Sequence, residues 1–217
     1  QYVQVEGFPG KPTLDSLRGR VVHIDLPPTG EFACSNDLLN KIVRNARWSY
    51  LSNFIGYPTD CPHREKNGWT GDAHLAAEQA LYNFNPAAAY TKWMNDFKDE
   101  QPEKGDFPGI VPTSGWGYNI GPAWDSAYLL IPSYMYLYRG DTRILEEHYA
   151  GMKRYVDYLG TRAENHIVSY GLGDWVPAKT QTPPEITSTG YYYADARLLA
   201  RAAALLGKAD EAAQYNA

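Results

Sequence analysis

The feature that most constrains the fold of this chain is a succession of helical segments that begins at Ser35. In each segment the apolar residues recur at the spacing of one helix face, and the segments follow residues that favour helix caps. The segments start near residues 35, 72, 85, 123, 141, 189 and 210. No regular alternation of strands with helices accompanies them, so the pattern excludes a doubly wound sheet.

The connections between these segments alternate between short turns and long loops. The two longest loops, rich in Gly and Pro, cover about residues 103–122 and 164–188. This alternation predicts a mainly α fold, a toroid of helical hairpins whose long loops gather at one rim, where loops usually carry function. A helical-repeat scaffold would show similar segments, but the chain has no fixed repeat length.

Residues 1–30 have a different character. Alternating residues at 3–6 and a nearly alternating run at 21–26 predict two short strands, which Gly and Pro residues separate. Two short strands cannot form an independent domain. We therefore interpret residues 1–30 as the tail of a preceding β domain and a linker. The chain starts with Gln1 instead of Met, and we expect it to be a piece of a longer protein.

Charge and hydropathy exclude several classes of function. The formal net charge of −5 argues against nucleic-acid binding, which requires a basic face. No apolar run approaches the roughly 18 residues of a membrane-spanning helix. The two cysteines, Cys34 and Cys61, lack metal-site spacing and companions, so we expect neither a metal nor an organic cofactor.

The densest cluster of reactive side chains lies at residues 57–73. Three carboxylates, Asp60, Glu65 and Asp72, occur there together with Arg64 and Trp69. A glycosidase needs one carboxyl that can donate a proton to the leaving oxygen and others that hold sugar hydroxyls. A tryptophan supplies a flat apolar wall for the sugar ring. A capped surface loop with an ion pair between Arg64 and Asp60 explains the same residues without any catalysis.

Residues 59–73, TDCPHREKNGWTGDA, resemble the signature of glycoside hydrolase family 78, the bacterial α-L-rhamnosidases. The segments at 30–36, 122–127 and 173–175 resemble further motifs of that family in the same order. The resemblance implies a six-hairpin α/α barrel, of which residues 31–217 would form the N-terminal half. Asn67 departs from the family pattern, where a more apolar residue is expected.

The resemblance also implies roles for individual residues. Glu65 matches the general acid, three residues match ligands of the sugar hydroxyls, and three tryptophans match the aromatic lining of the sugar subsite. The hydroxyl ligands are Asp60, Arg64 and Asp72, and the lining residues are Trp69, Trp124 and Trp175. The second glutamate of the family, the general base, has no matching segment, so we expect it beyond Ala217 and expect the chain alone to be inactive.

The implied activity is the hydrolysis of terminal α-L-rhamnosides with inversion, on a rhamnose-containing oligosaccharide or glycoside. Two alternatives stay open at this point: an α/α-toroid hydrolase for another sugar, and a non-catalytic carbohydrate-binding or scaffold protein. Asp125 is equally suited to a sugar contact and to capping a helix, whereas turn chemistry is the simpler interpretation of Asp174.

The last complete helical segment carries the apolar residues Leu198, Leu199, Ala202 and Leu205. We expect this flank to lack a neighbour in a half barrel and to cause self-association of the chain.

Overall fold

A computed structural model describes residues 2–217, and helices dominate it. Within that range the chain forms a short 3-10 helix at Leu14–Ser16 and eight α-helices. The α-helices are α1 (Asp37–Ser52), α2 (Thr70–Asn83), α3 (Ala87–Glu100), α4 (Pro122–Asp125), α5 (Ala127–Arg139), α6 (Arg143–Arg162), α7 (Pro184–Leu205) and α8 (Ala209–Asn216). The mainly α prediction is therefore confirmed.

The helix boundaries follow local chemistry, with two differences from the sequence analysis. The cap of α1 is Asn36, one residue after Ser35, because the Asn36 side chain accepts hydrogen bonds from the backbone N–H groups of Leu38 and Leu39. The single helix expected at 123–138 is divided at Ser126 into the one-turn helix α4 and the longer helix α5. α5 ends at Gly140, whose left-handed conformation (φ 66°) favours glycine.

Long loops and short turns alternate as connections between successive helices. Short turns follow α2, α5 and α7, whereas long loops occupy 53–69, 101–121 and 163–183. The first two loops meet where Trp69 forms a β-bridge with Ile110. The second and third meet where the N–H of Leu172 donates to the carbonyl of Ile120 at 2.9 Å. The long loops therefore gather at one rim, as the sequence predicts.

Aromatic residues build much of the core between α3, α5 and α6. The rings of Phe97 and Tyr128 stack with centroids 5.3 Å apart, and Phe107 packs on Tyr128 at 4.7 Å. The indole N–H of Trp93 donates to the carbonyl of Val111 at 2.9 Å, which fastens the second long loop to this core. A buried aromatic core thus fixes the base from which the rim loops project.

The N-terminal strands expected at residues 3–6 and 21–26 do not form. Across residues 2–30 the chain has no strand ladder, and most of its side chains are exposed. A β-strand needs a neighbouring strand to satisfy its backbone groups, and this range offers none. Residues 24–29 instead lie against the helices, where the N–H of Ile24 donates to Phe54 at 2.8 Å and Leu26 is buried. The division of the chain at residue 30 stays a prediction.

Two apolar faces differ from expectation. The apolar spacing of α1 predicts that Leu38, Leu39 and Ile42 share a buried face, but they are 64%, 46% and 52% exposed. On α7, by contrast, Leu199 and Ala202 are buried, because α6 and α8 pack against this helix. The unpartnered flank expected there is reduced to Leu205 and its surroundings. In the range 2–217 the helices are too short or too polar to cross a membrane.

Candidate active site

Hydrogen bonds between Asp60 and Asn67 close the loop between α1 and α2, and the residues between these two extend into solvent. Asp60 and Asn67 pair twice: the backbone N–H of Asp60 donates to the Asn67 carbonyl at 3.1 Å, and the N–H of Asn67 donates to Asp60 Oδ1 at 2.9 Å. The six residues between them form an exposed projection in which Lys66 adopts a positive φ of 58°. The departure from the family pattern at Asn67 therefore leaves the loop closure intact, since Asn67 contributes through its backbone.

Glu65 lies on this projection, and its carboxylate is held from one side. The indole N–H of Trp69 donates to Glu65 Oε2 at 2.8 Å, and the backbone N–H of Glu65 donates to Cys61 Sγ at 3.2 Å. Within residues 2–217 the second oxygen, Oε1, has no hydrogen-bond partner. One carboxylate oxygen is thus fixed by the indole while the other is available to a substrate.

Trp69 is itself placed by backbone pairing with the second long loop. The N–H of Val111 donates to the carbonyl of Gly68 at 2.9 Å, and the N–H of Thr70 donates to the carbonyl of Gly109 at 2.9 Å. This pairing requires glycine at 68, because a Cβ there would lie 2.0 Å from the Val111 oxygen. The ring of Trp116 meets Trp69 edge-on, with centroids 5.9 Å apart.

Asp72 stands in the first turn of α2, where a carboxylate is favoured by the helix dipole. Its side chain is open to solvent on the pocket side. Partial burial of its carboxyl raises the pKa of Asp72 above its ordinary value, and the nearby charges of Asp60 and Glu65 raise it further. A hydrogen bond from its own backbone opposes this shift. The three carboxyls are therefore close enough to influence one another electrostatically.

Helix α4 forms the opposite wall of the site. Pro122 opens the helix, and the ring of Trp124 is only 8% exposed. Nε2 of His74 lies 2.8 Å from the carbonyl oxygen of Ala123. Burial lowers the pKa of His74, so the ring is neutral and Nε2 carries the proton that it donates. Trp124 lies so close to α2 that a Cβ on Gly71 would meet its ring at 2.8 Å.

Six of the seven predicted site residues line a single pocket of about 180 Å³, together with Leu172. They are Asp60, Glu65, Trp69, Asp72, Trp124 and Trp175. Trp175 is 64% exposed at the mouth, where its ring meets Trp124 at 6.4 Å and 82°. The sequence analysis missed Leu172. Its only signal is its place next to Gly173 in the third family motif.

Arg64 does not line this pocket. Its side chain is exposed on the loop projection, and among the described residues it makes no ion pair with Asp60 or any other carboxylate. The ion-paired surface loop considered as an alternative is therefore not what these residues form.

A second pocket of about 480 Å³ continues from the first and shares Asp72, Trp124 and Trp175 with it. It extends to Asp174 and to Tyr191 of α7, a residue that the sequence analysis did not single out. Asp174 also accepts a hydrogen bond from the N–H of Thr182 at 3.2 Å, which agrees with its interpretation as turn chemistry. A larger open groove along α1, around Phe32 and Trp48, has no carboxylate among its lining residues.

Comparison with known families decides what kind of domain contains this pocket. Residues 27–217 match the family model described as the bacterial α-L-rhamnosidase six-hairpin glycosidase domain. The chain belongs to this family. The rhamnosidase domain matched in this way includes every residue that lines the two pockets.

Individual relatives agree with the family match. The chain is 36% identical to an α-L-rhamnosidase of Streptomyces avermitilis over its whole length, which is 21% of that relative. The solved structure of the α-L-rhamnosidase from Dictyoglumus thermophilum is 45% identical, with a TM-score of 0.92, and the match covers 97% of this chain and 24% of that one.

The structure of the Streptomyces avermitilis α-L-rhamnosidase complexed with L-rhamnose has a TM-score of 0.91 at 36% identity, over 97% of this chain and 20% of that one. The chain thus spans about a fifth of the length of the curated relatives that it matches.

Proposed function

We propose that the whole protein hydrolyses terminal α-L-rhamnosides with inversion at the anomeric carbon, and that Glu65 is its general acid. The observation that carries this proposal is the single pocket that Glu65 lines together with Asp60, Asp72 and three tryptophans. Membership of the rhamnosidase family supports the sugar class. So does the neighbouring Streptomyces avermitilis structure, which contains L-rhamnose.

In this proposal the two oxygens of Glu65 have separate tasks. Trp69 holds Oε2 through its indole N–H at 2.8 Å, so Oε1 is the atom that carries the proton toward the glycosidic oxygen. As the bond to the aglycone breaks, Glu65 becomes a carboxylate, and the indole hydrogen bond then stabilises the charge that develops. Trp69 therefore acts both on the sugar ring and on the acid.

The remaining carboxylates bind the sugar. Asp60 has one oxygen occupied by the N–H of Asn67, which leaves the other oxygen to accept from a sugar hydroxyl. Asp72 lies between the two pockets and offers its carboxylate to both. Trp124 and Trp175 supply the flat faces against which the apolar side of a pyranose packs. The proposed role of Arg64 as a ligand of a sugar hydroxyl requires its exposed side chain to rotate toward the pocket.

The general base is proposed to be a carboxylate outside residues 1–217. An inverting enzyme separates its acid and base by about 6.5–9.5 Å, so that a water molecule fits between the base and the sugar. In this proposal Asp60 and Asp72 bind sugar hydroxyls, so neither of them serves as the base. The 217-residue chain alone is then expected to lack rhamnosidase activity, which an aryl-rhamnoside assay on the isolated chain tests.

The isolated chain is also proposed to self-associate. The apolar face of α1 at Leu38, Leu39 and Ile42 is exposed, and such a patch is unusual on a monomer. Light scattering should give a mass above that of a monomer, and substitution of the three residues by Ser should restore the monomer mass. A monomer at all concentrations would contradict this proposal.

The test of the proposed activity uses the whole protein and a panel of aryl glycosides that differ only in the sugar. The α-L-rhamnoside should be cleaved at least tenfold better than the others. Proton magnetic resonance of the first product should show β-L-rhamnose before mutarotation. Preference for another sugar, or an α product, would overturn the substrate or the stereochemistry respectively.

A further inference from the structure

Behind the Trp124 wall lies a group of buried carboxyls that the proposed chemistry does not use. Asp106, Asp125 and Asp195 are 3%, 1% and 0% exposed. They come from the loop after α3, from α4 and from α7, so three separate parts of the chain converge at one point. Asp125 directly follows Trp124, and its burial excludes the sugar contact considered from the sequence.

These three carboxyls have unequal partners. Asp106 pairs with Lys104 at 2.7 Å, and Asp195 Oδ2 accepts a hydrogen bond from Ser126 Oγ at 2.6 Å. Throughout residues 2–217, no Lys, Arg or His nitrogen lies within 4 Å of Asp125 or Asp195. In the same range Oδ1 of Asp125 and Oδ1 of Asp195 have no hydrogen-bond partner.

The hydroxyl groups of Tyr155 and Tyr170 border the same cluster and are equally without partners among the described residues. Burial raises the pKa of Tyr155, and the nearby Asp125 and Asp195 raise it further. Burial likewise raises the pKa of Tyr170, followed by the influence of Asp125. Asp125 thus stands within electrostatic reach of α6 and of the third long loop.

An ionised carboxylate in this position would be desolvated without a compensating cation. Such a group takes up a proton instead, because burial disfavours its charged form. Burial raises the pKa of Asp125 well above its ordinary range, and the carboxyls of Asp106 and Asp195 raise it further. Burial also raises the pKa of Asp195, which the hydrogen bond from Ser126 partly offsets. Among the described residues, Asp195 accepts a hydrogen bond from a side chain, whereas Asp125 does not.

We propose that Asp125 is a neutral carboxylic acid in the folded protein, so that no unpaired charge lies beside Asp195 and the two buried tyrosines, and that this neutral form keeps Trp124 in position. Asp125 is a positioning residue, since it has no access to the pocket. Its effect on sugar binding rests on the proposed function, whereas its protonation state does not.

Two close contacts hold the α4 turn against its neighbours. Gly121, which precedes α4, adopts a φ of 101° and lies so close to the third loop that a Cβ there would be 2.7 Å from the Cα of Gly171. His74 donates to the carbonyl of Ala123 from α2. Ionisation of Asp125 would place an unpaired charge in this buried turn, at the residue that follows Trp124, and would oppose its close packing.

The sign of the pH dependence follows from the raised pKa. The stability that Asp125 contributes is fully present below its unfolded pKa of about 3.9 and is lost as the pH rises through the higher folded value. The titratable and charged groups that face this region come from α2, from the loop after α3, from α6 with the following loop, and from α7. They are His74, Lys104, Asp106, Tyr155, Arg162, Tyr170 and Asp195.

The decisive variant is Asp125→Asn in the whole protein, with Asp99→Asn on the exposed side of α3 as its matched control. An amide imitates the neutral acid but cannot ionise. The unfolding temperatures of Asp125→Asn and wild type should be most similar at the lowest pH at which both proteins fold, close to the unfolded pKa of about 3.9. As the pH rises, the unfolding temperature of the variant should increase relative to that of wild type by roughly one degree per pH unit, since one titrating group changes the stability of a protein of this size by about 1.4 kcal/mol per pH unit. The unfolding temperature of the Asp99→Asn control should depend on pH in the same way as that of wild type.

Two further measurements keep the proposal open to refutation. Infrared spectroscopy of wild type at pH 7 should show the carbonyl band of a protonated buried carboxylic acid, and Asp125→Asn should remove it. Asp125→Leu, which changes both the shape and the polarity of this buried side chain, should weaken L-rhamnose binding roughly 5- to 100-fold, whereas Asp125→Asn, which keeps the shape of the neutral acid, should change it less than threefold.

A pH-independent difference between Asp125→Asn and wild type would overturn the proposal. So would the absence of the infrared band, or the failure of Asp125→Asn to fold near pH 5. Because unfolding and infrared absorption need no rhamnoside, a failure of the proposed activity would leave these results intact and would be recognised separately.

Discussion

The two sides of the pocket are built in opposite ways. On one side, Glu65 stands on an exposed loop projection and is held by one indole hydrogen bond and one contact to a sulfur. On the other side, Trp124 is 8% exposed, and the Asp125 behind it is 1% exposed. This difference suits the proposed roles, in which the acid exchanges protons with substrate and solvent and the wall keeps its shape when the sugar leaves.

This contrast has a physical consequence for mutations. A change on the loop side removes a chemical group but disturbs few packed neighbours, so it should alter the turnover number and leave the unfolding temperature nearly unchanged. A change on the wall side displaces buried atoms, which cannot relax freely, so it should alter binding and stability together.

The largest effect is expected at the acid itself. Glu65→Gln should lower the turnover of a natural rhamnoside by roughly 10²–10⁴-fold, the usual contribution of a positioned proton donor. The unfolding temperature should stay within a degree or two of wild type, because the side chain is exposed. Steady-state kinetics and calorimetry on the same preparation test both parts, and normal turnover would remove Glu65 from the mechanism.

The second-largest effects are expected from substitution of the carboxylates proposed to bind the sugar. Asp72→Ala should weaken L-rhamnose binding by about 1–3 kcal/mol, which corresponds to roughly 5- to 150-fold, since a sugar hydroxyl loses its acceptor. Asp60→Ala should have a similar effect, and it should also loosen the loop because the N–H of Asn67 loses its partner. Calorimetric titration measures both, with Asp37→Ala on α1 as a remote control. Unchanged affinity in both variants would mean that the carboxylates do not touch the sugar.

A smaller effect on turnover is expected when only the hydrogen bond between Trp69 and Glu65 is removed. Trp69→Phe keeps an aromatic ring but removes the N–H that donates to Glu65 Oε2 at 2.8 Å. A bond at an exposed position contributes about 1 kcal/mol, so kcat should fall roughly fivefold while KM changes little. Trp69→Ala should raise KM as well, because the ring is lost. Equal KM changes in the two variants would show that the indole N–H has no separate role.

The smallest expected effect lies on the wall side and has a matched control in a second helical glycine. Gly71→Ala brings a Cβ within 2.8 Å of the Trp124 ring, whereas a Cβ on Gly190 of α7 meets nothing within 4 Å. Overpacking costs about 1–3 kcal/mol, part of which the helix preference of alanine offsets. Gly71→Ala should therefore weaken rhamnose binding a few-fold, while Gly190→Ala should raise the unfolding temperature slightly. Identical behaviour of both variants would remove the close approach of Trp124 as a constraint.

The sequence predicted most residues that line the pocket, but not the buried contacts behind its wall. Glu65, Trp69 and Asp72 fall within eight residues of each other, so a local motif brings them together. The wall depends on contacts between distant parts of the chain, such as Ser126 with Asp195, 69 residues apart. Spacing does not reveal these contacts, and for that reason Asp125 appeared equally suited to a sugar contact and to a cap.

The helices were predictable from apolar spacing and caps, but the partner of each apolar face was not. The apolar residues of α1 form a regular stripe, yet Leu38 and Ile42 are exposed. The flank of α7 was expected to be open, yet Leu199 is buried. Periodicity shows which residues share a face and not which element covers it. The expected N-terminal strands failed for a related reason, because alternation alone does not supply a neighbouring strand.

The most direct test of the central claim is the dependence of kcat on the acidity of the leaving group, measured with a series of aryl α-L-rhamnosides. With Glu65 present, protonation of the leaving oxygen should make the rate nearly independent of the leaving-group pKa. In Glu65→Gln, the rate should fall steeply as that pKa rises and should approach the wild-type rate for the most acidic phenols. Parallel lines for wild type and variant would show that Glu65 does not donate the proton.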